Sequence, residues 1–383
     1  GKTQVLTARV YRLLLRGVDP AAVLCLTFTK AGASEMAGRI NGRLARWVRM
    51  PEPDLRKELF ALGENHLDPA VVARARTLFA RVLDAPGGGI RIQTIHSFCQ
   101  SLLAAFPLEA GLLPGFRPLE GREEQVLARE ALAELLVAQE SLHGSDVLDA
   151  VRALSLRMGE GRAEAFLRAC AARPDAMARL PGLIQPFVRD CLDLPPCDVE
   201  AAIAAACADD ACDIAGLRAV AAINAGWGTK NGLARADAIA QWLRRDPGAR
   251  AAGLGELHLV WAKADGDLRS FAKGQAPPVA DYADLATRFH GWCGELVGLR
   301  ARAGFADLLA QGLTAGRAYA ETYAASKRRI GAVDFNDLIR ETARLLALPG
   351  IGDWVRYKLD QVTEHILIDE AQTPLIITAE RPG

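Results

Sequence analysis

The sequence predicts an α/β protein in which a parallel sheet is interrupted by a long all-helical segment. In the first 117 residues, and again from residue 325, short apolar runs alternate with patterns of helical spacing. Such alternation is typical of parallel sheets whose strands are connected by helices. Between these two parts, residues 118–324 are rich in Ala, Leu, Arg and Glu at helical spacing and contain few β-branched stretches.

Each predicted element of the α/β part follows from a local pattern. The first helix has apolar residues at helical spacing and stops at Gly17, and Asp334 precedes a later helix as its expected N-cap. We expect the last strand to be buried, because Ile366–Ile368 is apolar throughout. The patterns predict helices over residues 4–17, 30–50 and 96–106, and strands over residues 22–29, 90–95 and 365–368.

The composition indicates a soluble, globular chain of about two domains. Of the 383 residues, 50% are hydrophobic and 24% are charged, which allows a sizeable core. Lys plus Arg and Asp plus Glu number 46 each, so any nucleic-acid groove must be local and cannot depend on bulk charge. No apolar run approaches the roughly 18 residues of a membrane span, so we expect no membrane partner and a cytoplasmic location.

The chain begins with Gly1-Lys2-Thr3, which is typical of the end of a phosphate-binding loop. In that pattern the lysine contacts the β- and γ-phosphates, the threonine hydroxyl binds Mg²⁺, and the following helix directs backbone N–H groups at the anion. We therefore place Gly1, Lys2, Thr3 and Gln4 in a nucleotide site, with ATP and Mg²⁺ as cofactors. The first five positions of the full pattern are absent, so an ordinary helix start is the alternative.

Two adjacent carboxylates, Asp369 and Glu370, follow the last predicted strand at its carboxyl end, where α/β sheets bind ligands. We expect Asp369 to hold Mg²⁺, Glu370 to orient or deprotonate an attacking water, and Gln372 to sense the γ-phosphate. The alternative is a solvated Asp-Glu pair that closes the strand. The presence of both motifs in one chain favours nucleotide hydrolysis.

Hydroxyl, aromatic and basic side chains follow the first predicted strand, in Thr27-Phe28-Thr29-Lys30. An aromatic ring can stack on a base without reading its identity, and Thr or Lys can hold a phosphate, so this set favours single-stranded DNA. We expect Phe28, Thr29 and Lys30 to contact the strand. The alternative is that Phe28 is a core residue and Lys30 a surface charge at a helix start.

Thr94, His96 and Ser97 repeat this arrangement after the next strand. Because the carboxyl ends of parallel strands lie at one edge of a sheet, the two segments together predict a track for single-stranded DNA. A lone histidine is more often structural than a ligand, and no Cys or acid triad accompanies His96. We therefore expect phosphate contact here and discount nucleophilic catalysis.

Five segments in order carry a family resemblance: GKT, LCLTFTKAGASEM, IQTIHSFCQSLLAAFPLEAG, VDFNDLI and HILIDEAQ. They resemble the amino-terminal motor half of the UvrD/RecB group of superfamily 1A helicases, most closely its AddA branch, which acts in double-strand-break repair. The resemblance implies a RecA-like P-loop NTPase domain (1A) over residues 1–117 and 325–372, interrupted by a helical 1B insertion over residues 118–324. It also implies ATP-driven 3′ to 5′ translocation along single-stranded DNA, and an AddB-type partner subunit for the parent protein.

The sequence departs from this family at both ends. The first strand, the front of the phosphate loop and everything beyond the Asp-Glu motif are missing, so we expect a fragment with weak ATP binding, no unwinding and marginal stability. Ile366–Thr378 resembles the ILIDEARTPLIIS segment of the protein-translocation motor SecA, and we interpret residues 373–383 as an aberrant tail. The alternatives are an ATP-incompetent DNA-binding fragment or a different P-loop motor, such as a SecA-like translocase.

Overall fold

The computed structural model describes residues 2–86, 88–140, 146–270, 272 and 275–369, without the side chains of Lys2 and Thr3. The chain forms two compact units. One unit consists of residues 1–127 and 325–383, and the other consists of residues 128–324. No helix in the described part of the chain is long and apolar enough to cross a membrane.

Helices and strands alternate in the described residues of the first unit. In chain order they are α1 (Lys2–Leu15), a 3-10 turn (Pro20–Ala22), β1 (Val23–Thr27), α2 (Lys30–Arg49), α3 (Glu52–Ala61), α4 (Pro69–Asp84), β2 (Arg91–Thr94), α5 (Ile95–Ala105), β3 (Arg117–Pro118), β4 (Ala332–Val333), α17 (Phe335–Ala347), α18 (Ile351–Asp360) and β5 (His365–Ile368). The predicted helices and strands of this part are confirmed, and their ends differ from the prediction by a few residues.

The predicted parallel sheet is also confirmed. Three strands pair in the order β2-β1-β5, and both pairings are parallel. The register sets Thr27 of β1 opposite Thr94 of β2, and Leu26 opposite Ile368 of β5. The three strands therefore end at one edge of the sheet.

The central strand β1 is buried on both faces, which explains its continuous apolar sequence. Because side chains alternate along a strand, Val23 and Cys25 face one way and Leu24 and Leu26 the other. The first pair belongs to an apolar cluster built with α1, α2, α3 and α4. The second pair belongs to a cluster built with α5, α17 and α18. Helices thus cover both faces, as expected for a parallel sheet.

The last strand differs from the prediction, because β5 is only half-buried. Leu367 is 6% exposed and packs into the cluster with α1 to α4, whereas Ile366 is 59% exposed and Ile368 40% exposed. The physical reason is position: within the described residues, β5 has a strand neighbour on one side and its second face is largely open. The expectation of a fully buried last strand is therefore wrong.

A short second sheet joins the two parts of the first unit. In it, β3 and β4 pair in parallel, with Arg117 opposite Ala332 and Pro118 opposite Val333. These strands lie on either side of the long helical segment in the sequence. The chain therefore leaves the first unit and returns to it at neighbouring points.

The second unit is helical in its described residues, apart from an isolated bridge between Ala262 and Leu268. Two of the helices that follow, α6 and α16, also contribute residues to the first unit. The helices are α6 (Arg122–Glu140), α7 (Asp146–Met158), α8 (Glu160–Ala171), α9 (Pro174–Ala178), α10 (Ile184–Cys191), α11 (Val199–Ala206), α12 (Ile214–Gly226), α13 (Lys230–Leu243), α14 (Pro247–Ala252), α15 (Leu254–His258) and α16 (Tyr282–Arg329). A cluster that includes Trp242, Trp261 and Phe289 forms the core of this unit.

Candidate functional site

The carboxyl edge of the three-stranded sheet brings together residues from three separate parts of the sequence. Thr27 and Thr94 lie opposite each other at the ends of β1 and β2. On the other side of β1, the Asp369 N–H donates to the Leu26 carbonyl oxygen at 2.9 Å. Thr94, Thr27 and Asp369 therefore follow one another across an edge of the kind where α/β proteins bind ligands.

The segment after β1 forms the start of α2. The Thr27 hydroxyl donates to the Thr29 carbonyl oxygen at 3.1 Å, and the exposed Thr29 Oγ1 accepts from the Gly32 N–H at 3.0 Å as the N-cap. The Lys30 side chain is 82% exposed and lies 3.9 Å from Glu120. Thr29 thus has a structural role already, and Lys30 extends freely enough to reach a phosphate.

Phe28 combines the two interpretations offered for it. Its ring is half-buried and packs against the apolar cluster that contains Leu26 and Ile95. The rest of the ring is open to solvent at the carboxyl edge of the sheet. A base could stack only on that open part, while the buried part holds the ring in place.

The segment after β2 forms the start of α5. Thr94 is buried, and its Oγ1 accepts from the Ser97 N–H at 3.1 Å and lies 2.8 Å from Ser97 Oγ. Thr94 therefore caps α5 and orients Ser97. His96 is half-buried, and this burial holds its pKa below the ordinary value of about 6.5, so the imidazole is neutral at pH 7. A neutral imidazole can donate one hydrogen bond and accept another.

The structure adds an aromatic residue, Phe335, that the sequence analysis missed as a site residue. Its ring lies edge-on to His96, with centroids 4.8 Å apart and planes at 67°. Phe335 is 37% exposed and is the first residue of α17. The sequence signal was the aromatic residue directly after a helix cap, but its neighbourhood with His96 depends on folding.

A buried ionic cluster surrounds the start of α17. Asp334 and Asp337 form a capping box, which confirms the predicted N-cap role of Asp334. Lys327, in the last turn of α16, donates to Asp334 Oδ2 at 2.6 Å and Asp337 Oδ2 at 2.5 Å, and Arg340 donates to Asp337 Oδ1 at 2.6 Å. Burial raises the pKa of Asp337, but Lys327 and Arg340 outweigh burial and hold it below its ordinary value.

Two helix N-termini point towards the same edge of the sheet. α2 begins after Thr29 and α5 begins after Thr94, so the positive ends of both helix dipoles lie where β1 and β2 end. Helix N-termini attract anions such as phosphate. The edge therefore combines two positive helix ends with Lys30, the Ser97 hydroxyl and a neutral imidazole, which suits a phosphate backbone.

Most of the predicted nucleotide residues lie outside the described part of the chain. This holds for Gly1, Glu370 and Gln372, and for the side chains of Lys2 and Thr3, while Gln4 is exposed in the first turn of α1. Asp369 is described: it is 8% exposed and directly follows β5. A carboxylate at a strand end is a hard oxygen donor of the kind that Mg²⁺ prefers, so Asp369 fits the expected metal.

Comparisons with known proteins agree with this arrangement. The family model described as UvrD/REP helicase N-terminal domain matches residues 1–172. The AddA-type ATP-dependent helicase/nuclease of Syntrophomonas wolfei is 28% identical over 170 residues, which are 44% of this chain and 12% of that protein. The protein of the same name from Latilactobacillus sakei is 33% identical over 127 residues, covering 33% of this chain and 12% of that protein. The one from Bacillus pumilus is 36% identical over 138 residues, 35% of this chain and 9% of that protein.

The predicted resemblance is therefore confirmed: the matched part of this chain is UvrD-like and of AddA type. These matches span 12% or less of the length of the relatives. They do not show the resemblance of Ile366–Thr378 to SecA, and residues 370–378 lie outside the described residues.

Proposed function

We propose that this chain is the amino-terminal motor part of an ATP-dependent DNA helicase of AddA type. In this proposal the motor moves 3′ to 5′ along single-stranded DNA and acts in double-strand-break repair and recombination. The first unit would be the RecA-like 1A domain and the second its helical 1B insertion. The observation that carries the proposal is that Asp369 and the two polar, aromatic segments lie along one edge of a parallel sheet.

Single-stranded DNA would lie across the ends of β1 and β2. The open part of the Phe28 ring and the exposed part of Phe335 would contact bases, because stacking on aromatic rings is tolerant of base identity. The hydroxyls of Thr29 and Ser97, the Lys30 ammonium and the neutral His96 would contact the backbone, together with the two helix N-termini. The buried Thr94 would act through Ser97, whose hydroxyl it orients.

ATP with Mg²⁺, when bound, would supply the phosphoryl-transfer chemistry that drives movement. Gly1, Lys2, Thr3 and Gln4 would hold the phosphates and the metal at the start of α1, where the helix dipole favours an anion. Asp369 would complete the metal site, Glu370 would orient or deprotonate the water, and Gln372 would sense the γ-phosphate.

The two sites would communicate through β1, which is shared by both. Asp369 is hydrogen-bonded to Leu26, one residue before the end of β1, and Thr27 leads directly into the DNA segment. A change at the metal would thus be one backbone hydrogen bond away from Phe28. For the parent protein we propose an AddB-type partner, in keeping with the names of the relatives, which describe each of them as one subunit of an enzyme.

The DNA half of the proposal is tested by titrating a labelled oligothymidylate into the chain at two salt concentrations. We expect Phe28→Ala to weaken binding by about five-fold or more at both concentrations, because stacking on one base contributes about 1–3 kcal/mol and is not screened by salt. Phe60→Ala is the matched control, since Phe60 is 64% exposed on α3, away from the site. Equal effects of the two substitutions would refute the DNA-binding assignment.

The ATP half is tested separately, by measuring hydrolysis with and without the oligonucleotide. We expect any DNA-stimulated hydrolysis to be lost in Asp369→Asn, which keeps the shape of the side chain and removes the charge that binds the metal. DNA binding without any ATP hydrolysis by the unaltered chain would restrict its function to a single-strand-binding module.

A further inference from the structure

Lys327 is a buried cation that the proposed function does not use. It is 5% exposed, and its two partners, Asp334 and Asp337, are 4% and 5% exposed. Lysine is almost never buried unless it is paired, because removing an ammonium from water is costly. Lys327 meets this condition through both carboxylates, at 2.6 Å and 2.5 Å.

The two acids that bind Lys327 are also the two acids that cap α17. The Asp337 N–H donates to Asp334 Oδ1 at 2.8 Å, and the Asp334 N–H donates to Asp337 Oδ2 at 3.1 Å. Asp337 Oδ2 therefore accepts from the Lys327 ammonium and from the backbone of Asp334 at once. Without the ammonium, two buried carboxylates would face each other, and like charges at this separation repel strongly.

The cap determines where the first side chain of α17 lies. Phe335 directly follows Asp334, and its ring contacts His96 at a centroid distance of 4.8 Å. Arg340 does not duplicate Lys327, because it donates to the other oxygen of Asp337 and to Glu341, and does not reach Asp334 in the described contacts. Among the described residues, only Lys327 connects the two capping acids through a cation.

We propose that Lys327 is a positioning residue for the DNA-binding edge: it holds Asp334 and Asp337 together at the start of α17 and thereby holds Phe335 against His96. Loss of the ammonium separates the two carboxylates, frays the first turn of α17 and lets Phe335 move away from the imidazole. The consequence for DNA binding rests on the proposed function, whereas the positioning itself does not.

The test is the pKa of His96, measured by NMR in Lys327→Met without DNA. Burial holds this pKa below its ordinary value, so withdrawal of Phe335 admits water and raises the pKa towards about 6.5. Lys57→Met is the matched control, because Lys57 lies 3.6 Å from Asp54 in an exposed Lys–Asp pair on α3. We expect no change of the His96 pKa in that variant. A folded Lys327→Met protein with an unchanged His96 pKa would overturn the proposal.

A rescue variant separates positioning from a general loss of stability. In Lys327→Met with Asp334→Asn, the asparagine remains a favoured N-cap, and its amide can donate to Asp337 Oδ2 in place of the ammonium. We expect the His96 pKa to return to its value in the unaltered protein. Failure of the return in a folded double variant would contradict the proposed role of the two acids.

Two further measurements complete the design. If Lys327→Met does not fold, Lys327→Gln is measured instead, because it keeps a donor for one carboxylate, and an intermediate shift of the His96 pKa is expected. In the oligothymidylate titration, Lys327→Met should weaken binding about five-fold or more, as expected when one stacking contact is lost. An unaltered chain that binds no DNA would refute the proposed function, while the His96 titration would still decide the role of Lys327.

Discussion

Gly32 lies in the first turn of α2, against the two hydroxyls at the end of β1. A Cβ atom at this position would lie 2.9 Å from Thr27 Oγ1 and 3.0 Å from Thr29 Oγ1. The Thr29 oxygen is the N-cap that accepts the Gly32 N–H, so a side chain here would displace the cap. Close approach of hydroxyl groups therefore requires glycine at this position.

Gly32→Ala should lower the free energy of unfolding by about 1–2 kcal/mol. The loss of the cap costs about 1 kcal/mol and crowding about 1–3 kcal/mol, which outweighs the gain of about 1 kcal/mol from the helix propensity of alanine. Urea denaturation measures the change. Gly38→Ala is the control on the same helix, since a Cβ there meets nothing within 4 Å, and it should stabilise by about 0.5–1 kcal/mol. Equal shifts would show that propensity alone decides.

Local roles of single residues were predictable, whereas their distant partners were not. The N-cap role of Asp334 follows from its position just before a helical pattern, and the structure confirms it. The contact of Phe335 with His96 and the burial of Lys327 join residues from different parts of the chain. No periodicity or spacing connects such residues, because the contact exists only after the helices have packed.

At the scale of elements, β5 shows how much the neighbours of a strand decide. An apolar run of three residues is compatible with a strand buried on both faces, like β1, and with one buried on a single face. Among the described strands, the structure places β5 beside β1 only, with Leu367 inside and Ile366 and Ile368 outside. Edge strands with apolar outer faces favour association with other chains.

Substitution by lysine distinguishes the two faces of β5. Ile366→Lys should change the free energy of unfolding by less than about 0.5 kcal/mol, because the side chain is largely exposed. It should also slow aggregation, measured by light scattering, because a charge discourages pairing at the edge. Leu367→Lys should destabilise by several kcal/mol, on the order of the cost of burying an unpaired charge. Similar effects of both substitutions would mean that β5 does not alternate as described.

At the scale of the whole molecule, the second unit has a core of its own. All members of the cluster that contains Trp242, Trp261 and Phe289 belong to residues 128–324. Trp242 is 2% exposed and Trp261 1% exposed, and the Trp261 and Phe289 rings stack at 5.4 Å. A segment with a contiguous apolar core meets the physical condition for independent folding.

Residues 128–324 should therefore fold as an isolated polypeptide with a single cooperative thermal transition. Circular dichroism and tryptophan fluorescence should follow the same transition, since both report the same core. Trp261→Ala should lower its stability by about 3–5 kcal/mol, because a large buried side chain is lost. Helical content without a cooperative transition would show that this segment depends on the rest of the chain.

The sequence by itself determined the elements and the chemistry at their ends. Helical and strand periodicity and helix caps are local properties, so the alternation of strands and helices and the polar residues after β1 and β2 could be predicted. Only the tertiary structure decided that β5 has one open face, that Phe335 joins His96, and that Lys327 lies between two capping acids. These features depend on which strands pair and which helices pack together, and long-range packing leaves no periodic signal in the sequence.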